Sequence, residues 1–269
     1  MTLLFVVFLL GLYGFSKANL SNIFKLKIIT LTMKKEEKRK LVWIGIFAIA
    51  MAFVETMIVY YLRKLYYPDN ILFPLNVSMP TEILVLEWIR EASTIVMLLA
   101  VAVLAGKKAK EKFAYFIYAF AVWDIFYYVW LKATLDWPSS LMTWDVLFLI
   151  PVTWASPVIC PIIVSASMIL YAFAILRSDK NKFTKKQIGA LSIGGILIYV
   201  SFVWNYSALY LKKGYVLKFS EIAIEKDIMN LALNLASSYI PNYFNWPLFI
   251  LGIILAWGSL YFFYKGRKK

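Results

Sequence analysis

The chain contains long apolar stretches separated by short charged segments. An α-helix needs about 20 mostly apolar residues to cross the hydrocarbon core of a bilayer. Of the 269 residues, 62% are hydrophobic and only 16% are charged, which is more apolar surface than one soluble core can bury. The sequence therefore predicts an all-α, polytopic membrane helix bundle, with six core spans near 41–62, 84–105, 113–133, 154–176, 187–208 and 245–264.

The basic residues are concentrated in alternate connections between these spans. They form "KKEEKRK" before the first span, "GKKAKEK" after the second, "RSDKNKFTKK" after the fourth and "KGRKK" at the end of the chain. Because cytoplasmic loops are enriched in Lys and Arg, we expect these segments, and both termini of the core, to be cytoplasmic in a cell (inner) membrane. The net charge of +14 is then a topology signal, so the lipid bilayer is the expected partner and nucleic acid is not.

The chain has no histidine and a single cysteine, Cys160. This composition excludes an intrachain disulfide, haem bound through histidine, the usual zinc and copper sites, and nucleophiles activated by histidine. We therefore predict no metal and no cofactor. Cys160 lies in an apolar run and is expected to be a small buried hydrophobic residue.

Two regions do not fit plain spans. Residues 1–32 contain "TLLFVVFLLGLYGF", which is too short to cross a bilayer. This extension is either a seventh helix or the product of a misplaced start codon. Met33 precedes a basic segment and is a natural first residue for a single transmembrane domain over 33–269. Near 142–152, "MTWDVLFLI" before Pro151 predicts a broken element or half-helix at the outer side; the alternative is an interfacial helix joined to a Pro-kinked span.

Two further patterns predict helix contacts with the membrane or with each other. The segment "SEIAIEKDIMNLALNLASSYI" has apolar residues at helical spacing and predicts an amphipathic helix on the outer membrane surface. Gly194 and Gly195 in "SIGGILIY" predict close helix packing, because no strand and no Lys-Ser/Thr pair accompany them as a phosphate loop requires.

Several ionisable residues lie within or beside the predicted spans, where a charge costs roughly 2.5–3.5 kcal/mol on insertion scales. Glu55 has only apolar neighbours three and four residues away, so its partner must come from another helix or from water. With a rise of about 1.5 Å per residue, Glu55, Glu91 and Asp124 all fall between the midplane and the outer leaflet. The expected polar cluster, opening outward, comprises Glu55, Glu87, Arg90, Glu91, Asp124, Tyr128, Lys132 and Asp145.

Helical spacing suggests how these candidates are grouped. Arg90 lies three residues after Glu87, and Asp124, Tyr128 and Lys132 follow one another at steps of four. Arg90 and Lys132 are the cations available to balance the acids. Intramembrane charges usually mark a functional site, although pairs between helices can also serve only to hold the bundle together.

A stretch over roughly residues 50–170 also resembles a known family. The runs "FVETMIVYYLRKLYYP", "REASTIVMLLAVAVLAG", "FAYFIYAFAVWDIFYYVWLK", "WPSSLMTWDVLFLIPVTW" and "SPVICPIIVS" are similar to a family of uncharacterised bacterial multi-pass membrane proteins. The resemblance implies a bacterial-type inner-membrane protein and implies nothing about chemistry. It does not extend to residues 1–32.

These features favour proton- or cation-linked transport or permeation through an outward-opening acidic cavity, because carboxylates suit protons and hard cations. No inverted repeat is visible, so a transporter of this size is expected to work as a homo-oligomer. The alternative is an intramembrane enzyme acting on a lipid or isoprenoid substrate at the outer leaflet, with an acid as general base and Arg90 or Lys132 holding a phosphate. A non-catalytic assembly or accessory subunit is the third class.

The charge distribution makes a direct prediction about topology. Orientation reporters fused after Lys110 and after Asn76 are expected to report opposite sides of the membrane, because only the first site follows a basic connection. Accessibility of each reporter to a membrane-impermeant reagent is the measurement. Reporters on one and the same side would contradict the six-span arrangement.

Overall fold

The computed structural model describes residues 33–67, 73, 80–177, 183–212, 234, 237 and 239–265. The chain divides into two units, Met1–Lys38 and Arg39–Lys269. Of the first unit, residues 33–38 are described. The predicted extension over residues 1–32 and most of the predicted surface helix near 220–240 lie outside the described residues.

Six long helices account for most of the described chain, and each is long and apolar enough to cross a membrane. This confirms the predicted all-α bundle and its six core spans. The observed helices begin and end within six residues of the predicted limits. They are α1 Lys35–Tyr66, α2 Thr81–Ala105, α3 Ala109–Leu135, α4 Ile159–Leu176, α5 Lys185–Lys212 and α6 Trp246–Lys265.

Between α3 and α4 the chain forms a β-hairpin, so the prediction of a half-helix near 142–152 was wrong. Strand β1, Trp144–Phe148, pairs antiparallel with strand β2, Trp154–Pro157, and the register shifts between Val146 and Phe148. The fourth helix consequently begins at Ile159 and not at 154, since the residues before it belong to β2.

The hairpin has a local explanation in the sequence. Aromatic and β-branched residues favour strands, whereas Pro151 and Pro157 lack the N–H group that an α-helix interior requires. Pro157 lies at the end of β2, opposite Trp144, where a missing donor is tolerated. The backbone groups of this segment therefore bond across the hairpin. The pairing extends beyond the strands through a hydrogen bond of 3.0 Å from the Val158 N–H to the Thr143 carbonyl.

The helices pack through side chains of mixed size. A core cluster joins α3, α4 and α6 and contains Ile117, Tyr171, Ala256 and Phe263. A second joins α4, α5, the segment before α6 and α6 itself through Cys160, Phe202, Phe244 and Phe249. Cys160 is buried and free, which confirms the expectation that it is a small buried hydrophobic residue. On the hairpin, the Trp154 ring packs against Tyr199 and Phe202 of α5.

Helices α5 and α6 approach most closely at two glycines. A Cβ atom at Gly194 would lie 2.7 Å from the Gly252 carbonyl oxygen, and a Cβ at Gly252 would lie equally close to the Gly194 oxygen. The prediction of close packing is therefore confirmed for Gly194. It was wrong for Gly195, where an added Cβ would have no neighbour within 4 Å.

The helix surfaces that remain are strongly apolar. Leu65, Val96 and Leu104 are examples of large hydrophobic side chains left exposed, and Leu104 is 87% exposed. Exposure on this scale in helices of spanning length indicates that the solvent for these surfaces is lipid. The polar and charged side chains discussed below lie mainly on the inner faces.

The α5–α6 contact leads to a stability prediction. Gly194→Ala is expected to destabilise the protein by about 1–3 kcal/mol, because the added methyl group meets backbone atoms that cannot rotate away. Gly195→Ala, one residue along the same helix, is the matched control and should leave the unfolding temperature close to that of the parent. Equal behaviour of the two variants in thermal unfolding would contradict the close contact.

Candidate functional site

The first group of the site connects α1 and α2 around Glu55. The Glu55 carboxylate accepts hydrogen bonds from the Arg90 guanidinium and from the Thr94 hydroxyl, and its side chain is almost fully buried. Arg90 also bonds through Nε to Glu87 Oε2 at 2.7 Å. These contacts confirm that the partner of Glu55 lies on another helix and that Glu87 and Arg90 pair along one helix.

The second group connects α2 to the hairpin. Both carboxylate oxygens of Glu91 accept the backbone N–H of Leu149, at 3.0 and 2.9 Å. Leu149 follows β1 directly, so its N–H is left without a partner strand and a buried carboxylate takes that place. Glu91 thus fixes the turn of the hairpin against α2. This contact could not be predicted while the segment was expected to be helical.

The third group lies where the hairpin meets α1 and α3. Asp145 on β1, 1% exposed, accepts a hydrogen bond of 2.9 Å from the Tyr128 hydroxyl and lies 3.5 Å from Nη2 of Arg63. Arg63 is itself 3% exposed, and its guanidinium carbon lies 3.8 Å from the centre of the Trp137 ring, a cation–π contact. The buried carboxyl of Asp145 is therefore bonded to a phenol hydroxyl and paired with Arg63, and Arg63 in turn lies against an aromatic ring.

Asp145 lies outside the membrane-spanning helices. Its burial raises the pKa of the carboxyl to about 6, because lost hydration outweighs the Arg63 charge and the Tyr128 hydrogen bond, both of which lower it. A carboxyl with a raised pKa binds its proton more tightly in the folded chain than in the unfolded chain. Asp145 therefore favours folding most at acidic pH, and this contribution decreases as the pH rises through the folded-state pKa.

Within the described chain, the remaining two candidates make no hydrogen bond or ion pair with these groups. Asp124 on α3 is partly buried and accepts a hydrogen bond of 2.8 Å from the Ser165 hydroxyl on α4. Lys132 does not join the acids within the bundle: it is 52% exposed and its ammonium group lies 2.7 Å from Asp136, close to the end of α3. The structure thus brings Glu55, Glu87 and Arg90 into direct contact and joins Tyr128 to Asp145. Glu91 on α2 binds the backbone of the hairpin, and Lys132 lies outside the interior.

Sequence analysis did not select Arg63, Thr94 or Ser165. Arg63 is at the end of a span, where a basic residue is expected to flank the membrane and face water. A signal for its burial was present, however, since it follows the buried Thr56 by seven residues and so lies on the same face of α1. The Tyr127 phenol is within electrostatic range of Glu55 and Arg90 in the first group and of Arg63 and Asp145 in the third.

The fold and the buried charges define the class of the protein as an integral, multi-pass membrane helix bundle with a polar interior. Comparison of the chain with protein-family models, curated proteins and solved structures finds no match. The resemblance to uncharacterised bacterial membrane proteins thus stays an expectation. Among the described residues, no group of three or more acidic or cysteine side chains is arranged to hold a metal ion.

The docking of the hairpin by Glu91 can be tested directly. Glu91→Gln is expected to lower stability by about 1 kcal/mol, because a neutral amide oxygen replaces a charged acceptor. Hydrogen exchange of the Leu149 amide should become faster at the same time. Glu82→Gln, which changes an exposed acid on the same helix, is the control. An unchanged exchange rate at Leu149 in Glu91→Gln would show that the carboxylate does not hold the hairpin.

Proposed function

We propose that this chain is a proton- or cation-linked transport or permeation protein whose working groups are the acids of its interior. The observation that carries the proposal is an excess of acids in the bundle interior. Among the described residues, the inward-facing acids are opposed there by two arginines, Arg63 and Arg90, since Lys132 lies at the surface. These acids are Glu55, Glu87, Glu91, Asp124 and Asp145.

Charge balance explains why such an interior takes up protons or cations. If every acid were ionised, the arginines would leave uncompensated negative charge in surroundings of low dielectric constant, where like charges repel strongly. A proton or cation bound within the group removes this uncompensated charge at the lowest free energy. A group that takes up such a charge from one side of the membrane and releases it to the other meets the chemical requirement for ion-linked transport.

The depths of the acids also support a route. Glu55, Glu91 and Asp124 each lie about 15 Å from the end of their helix nearest the hairpin, by the rise of an α-helix. Asp145 lies on the hairpin itself, at that end of α3. Acids at the hairpin and within the bundle at this depth support the proposal, because a relay of protons or cations needs acceptor groups at successive positions.

Other roles make less use of these contacts. The enzymatic alternative needs Arg90 or Lys132 to hold a phosphate, but Arg90 is bonded to Glu55 and Glu87, and Lys132 to Asp136. An accessory subunit needs only paired charges, and it would not require more acids than cations. The excess of acids therefore favours transport.

The test is ion flux through the purified full chain in proteoliposomes that contain a pH-sensitive dye. Under an imposed membrane potential, the parent is expected to change the luminal pH, or to carry a cation that a cation-sensitive dye in parallel liposomes reports. Asp124→Asn should reduce this flux to the level of protein-free liposomes, and Glu55→Gln should reduce it less, because within the described chain Asp124 has a hydroxyl partner and no paired cation, whereas Glu55 is bonded to Arg90.

Exposed acids provide the matched controls. Asp136→Asn and Glu82→Gln remove the same chemical groups at exposed positions and should keep the parent flux. Variants that fold normally and conduct like the parent, or a parent that shows neither proton nor cation flux, would contradict the proposal. Amide variants that only lose stability would favour the packing role.

A further inference from the structure

Arg63 is a buried cation whose hydrogen-bonding capacity is largely unused. Among the described residues, neither Nε nor Nη1 of Arg63 has a hydrogen-bond acceptor, and the guanidinium is paired only through Nη2 with Asp145, at 3.5 Å. The other buried polar atoms without a partner in the described chain belong to uncharged side chains: Trp123, Asn205 and Tyr206. Arg63 is therefore the costliest unsatisfied group that the structure describes.

This arrangement needs an explanation, because a buried guanidinium normally satisfies its donors. Leaving donors of a buried charged group unpaired is strongly destabilising. The Trp137 ring covers the guanidinium at 3.8 Å, so one side of this cation is occupied by an aromatic ring. A planar donor set of this kind matches the oxygen atoms of a carboxylate or phosphate group.

We propose that Arg63, fixed by Trp137, anchors a binding site for a singly charged oxyanion of the phosphodiester type, and that the anion binds together with a proton on Asp145. The proposed role of the acids in transport does not explain why donors of Arg63 are unpaired. The inference rests on the proposed function, because it names an anion as the species moved together with the proton.

The proton is needed because Asp145 competes with the anion for Arg63. Burial raises the pKa of Asp145 to about 6, so the carboxyl gains a proton under mildly acidic conditions. The neutral acid then releases the full charge of Arg63, and Tyr128 can reorient its hydroxyl. The charged and titratable groups that interact with Asp145 are Arg63 on α1 and Asp124, Tyr127 and Tyr128 on α3.

In the described arrangement the site is closed, since Arg63 is 3% exposed. The pair of Arg63 with Asp145 is the contact that an anion would replace. Arg63 lies in the last turn of α1, so the replacement takes place at the end of the bundle nearest the hairpin and not at its centre. An anion can therefore reach Arg63 without passing the group around Glu55.

Dimethyl phosphate is the appropriate probe for the purified full chain in detergent. It is a phosphodiester that stays a single anion between about pH 5 and pH 8, so any pH dependence belongs to the protein. Its effect is measured as the rise in unfolding temperature over that in sodium chloride of equal ionic strength. Because one proton accompanies one anion, apparent affinity should fall about tenfold per pH unit above the Asp145 pKa.

Three variants separate a binding site from a structural role. Arg63→Gln should lose the stabilisation by dimethyl phosphate, whereas Lys64→Gln removes an exposed charge one residue later and should keep it. Asp145→Asn imitates the protonated acid and should bind the probe equally well at about pH 5 and pH 8. If Arg63→Gln fails to fold, the Asp145→Asn profile decides by itself.

A second arm identifies the source of the phosphodiester. Phosphatidylglycerol carries this group as a lipid headgroup, and diacylglycerol is its phosphate-free counterpart. If dimethyl phosphate has no effect while phosphatidylglycerol added to the micelles stabilises the parent, with the same dependence on Arg63 and Asp145, the bound anion is a lipid headgroup. Competition between the two probes would indicate that either can occupy the site.

Several results would overturn the proposal. They are no stabilisation of the parent by either probe at any pH, full stabilisation of a folded Arg63→Gln variant, or the same pH profile in Asp145→Asn as in the parent. These measurements use no ion gradient, so their failure leaves the flux assay unaffected. Loss of flux with intact anion binding would instead remove the transport function and leave the site.

Discussion

Charge in a nonpolar environment is the constraint on which the interior of this protein depends. A carboxylate away from water needs donors, a cation or a proton, and each of the buried acids described above has at least one of the first two. Glu55 uses Arg90 and Thr94, Glu91 uses a backbone N–H, and Asp145 uses Tyr128 and Arg63. These contacts join α1, α2, α3 and the hairpin, so the packing of this half of the bundle is specified by polar groups as well as by shape.

The hairpin follows from the same constraint applied to the backbone. Irregular chain close to the hydrocarbon is stable only if its N–H and C=O groups find partners within the protein. The antiparallel pairing of β1 with β2 satisfies most of them, and Glu91 satisfies the Leu149 N–H just beyond β1. A side chain from a spanning helix therefore completes the hydrogen bonding of a non-helical segment, and this explains why an acid is retained on α2 at that depth.

The spans could be predicted because hydropathy is a property of about 20 residues together, and single errors average out. The hairpin could not, since an apolar run such as Trp144–Phe148 has the same composition as part of a buried helix. The apolar neighbours of Glu55 predicted that its partner comes from another helix or from water. Arg63 and Lys132 were misjudged for one reason: a basic residue at a helix end has water and buried acids both within reach, and only tertiary packing decides between them.

The balance of charge in the interior connects the proposed anion site to the acids. Arg63 with Asp145 is a neutral pair, and binding an anion to Arg63 alone would add negative charge to an interior that already has an excess of it. If Asp145 takes up a proton as the anion binds, the net charge does not change, and the electrostatic cost of carrying the anion largely disappears. The Tyr127 phenol is within electrostatic range of both this pair and the group around Glu55. An interior rich in acids is then the natural partner of a site for anions, because it supplies the proton that makes the anion acceptable.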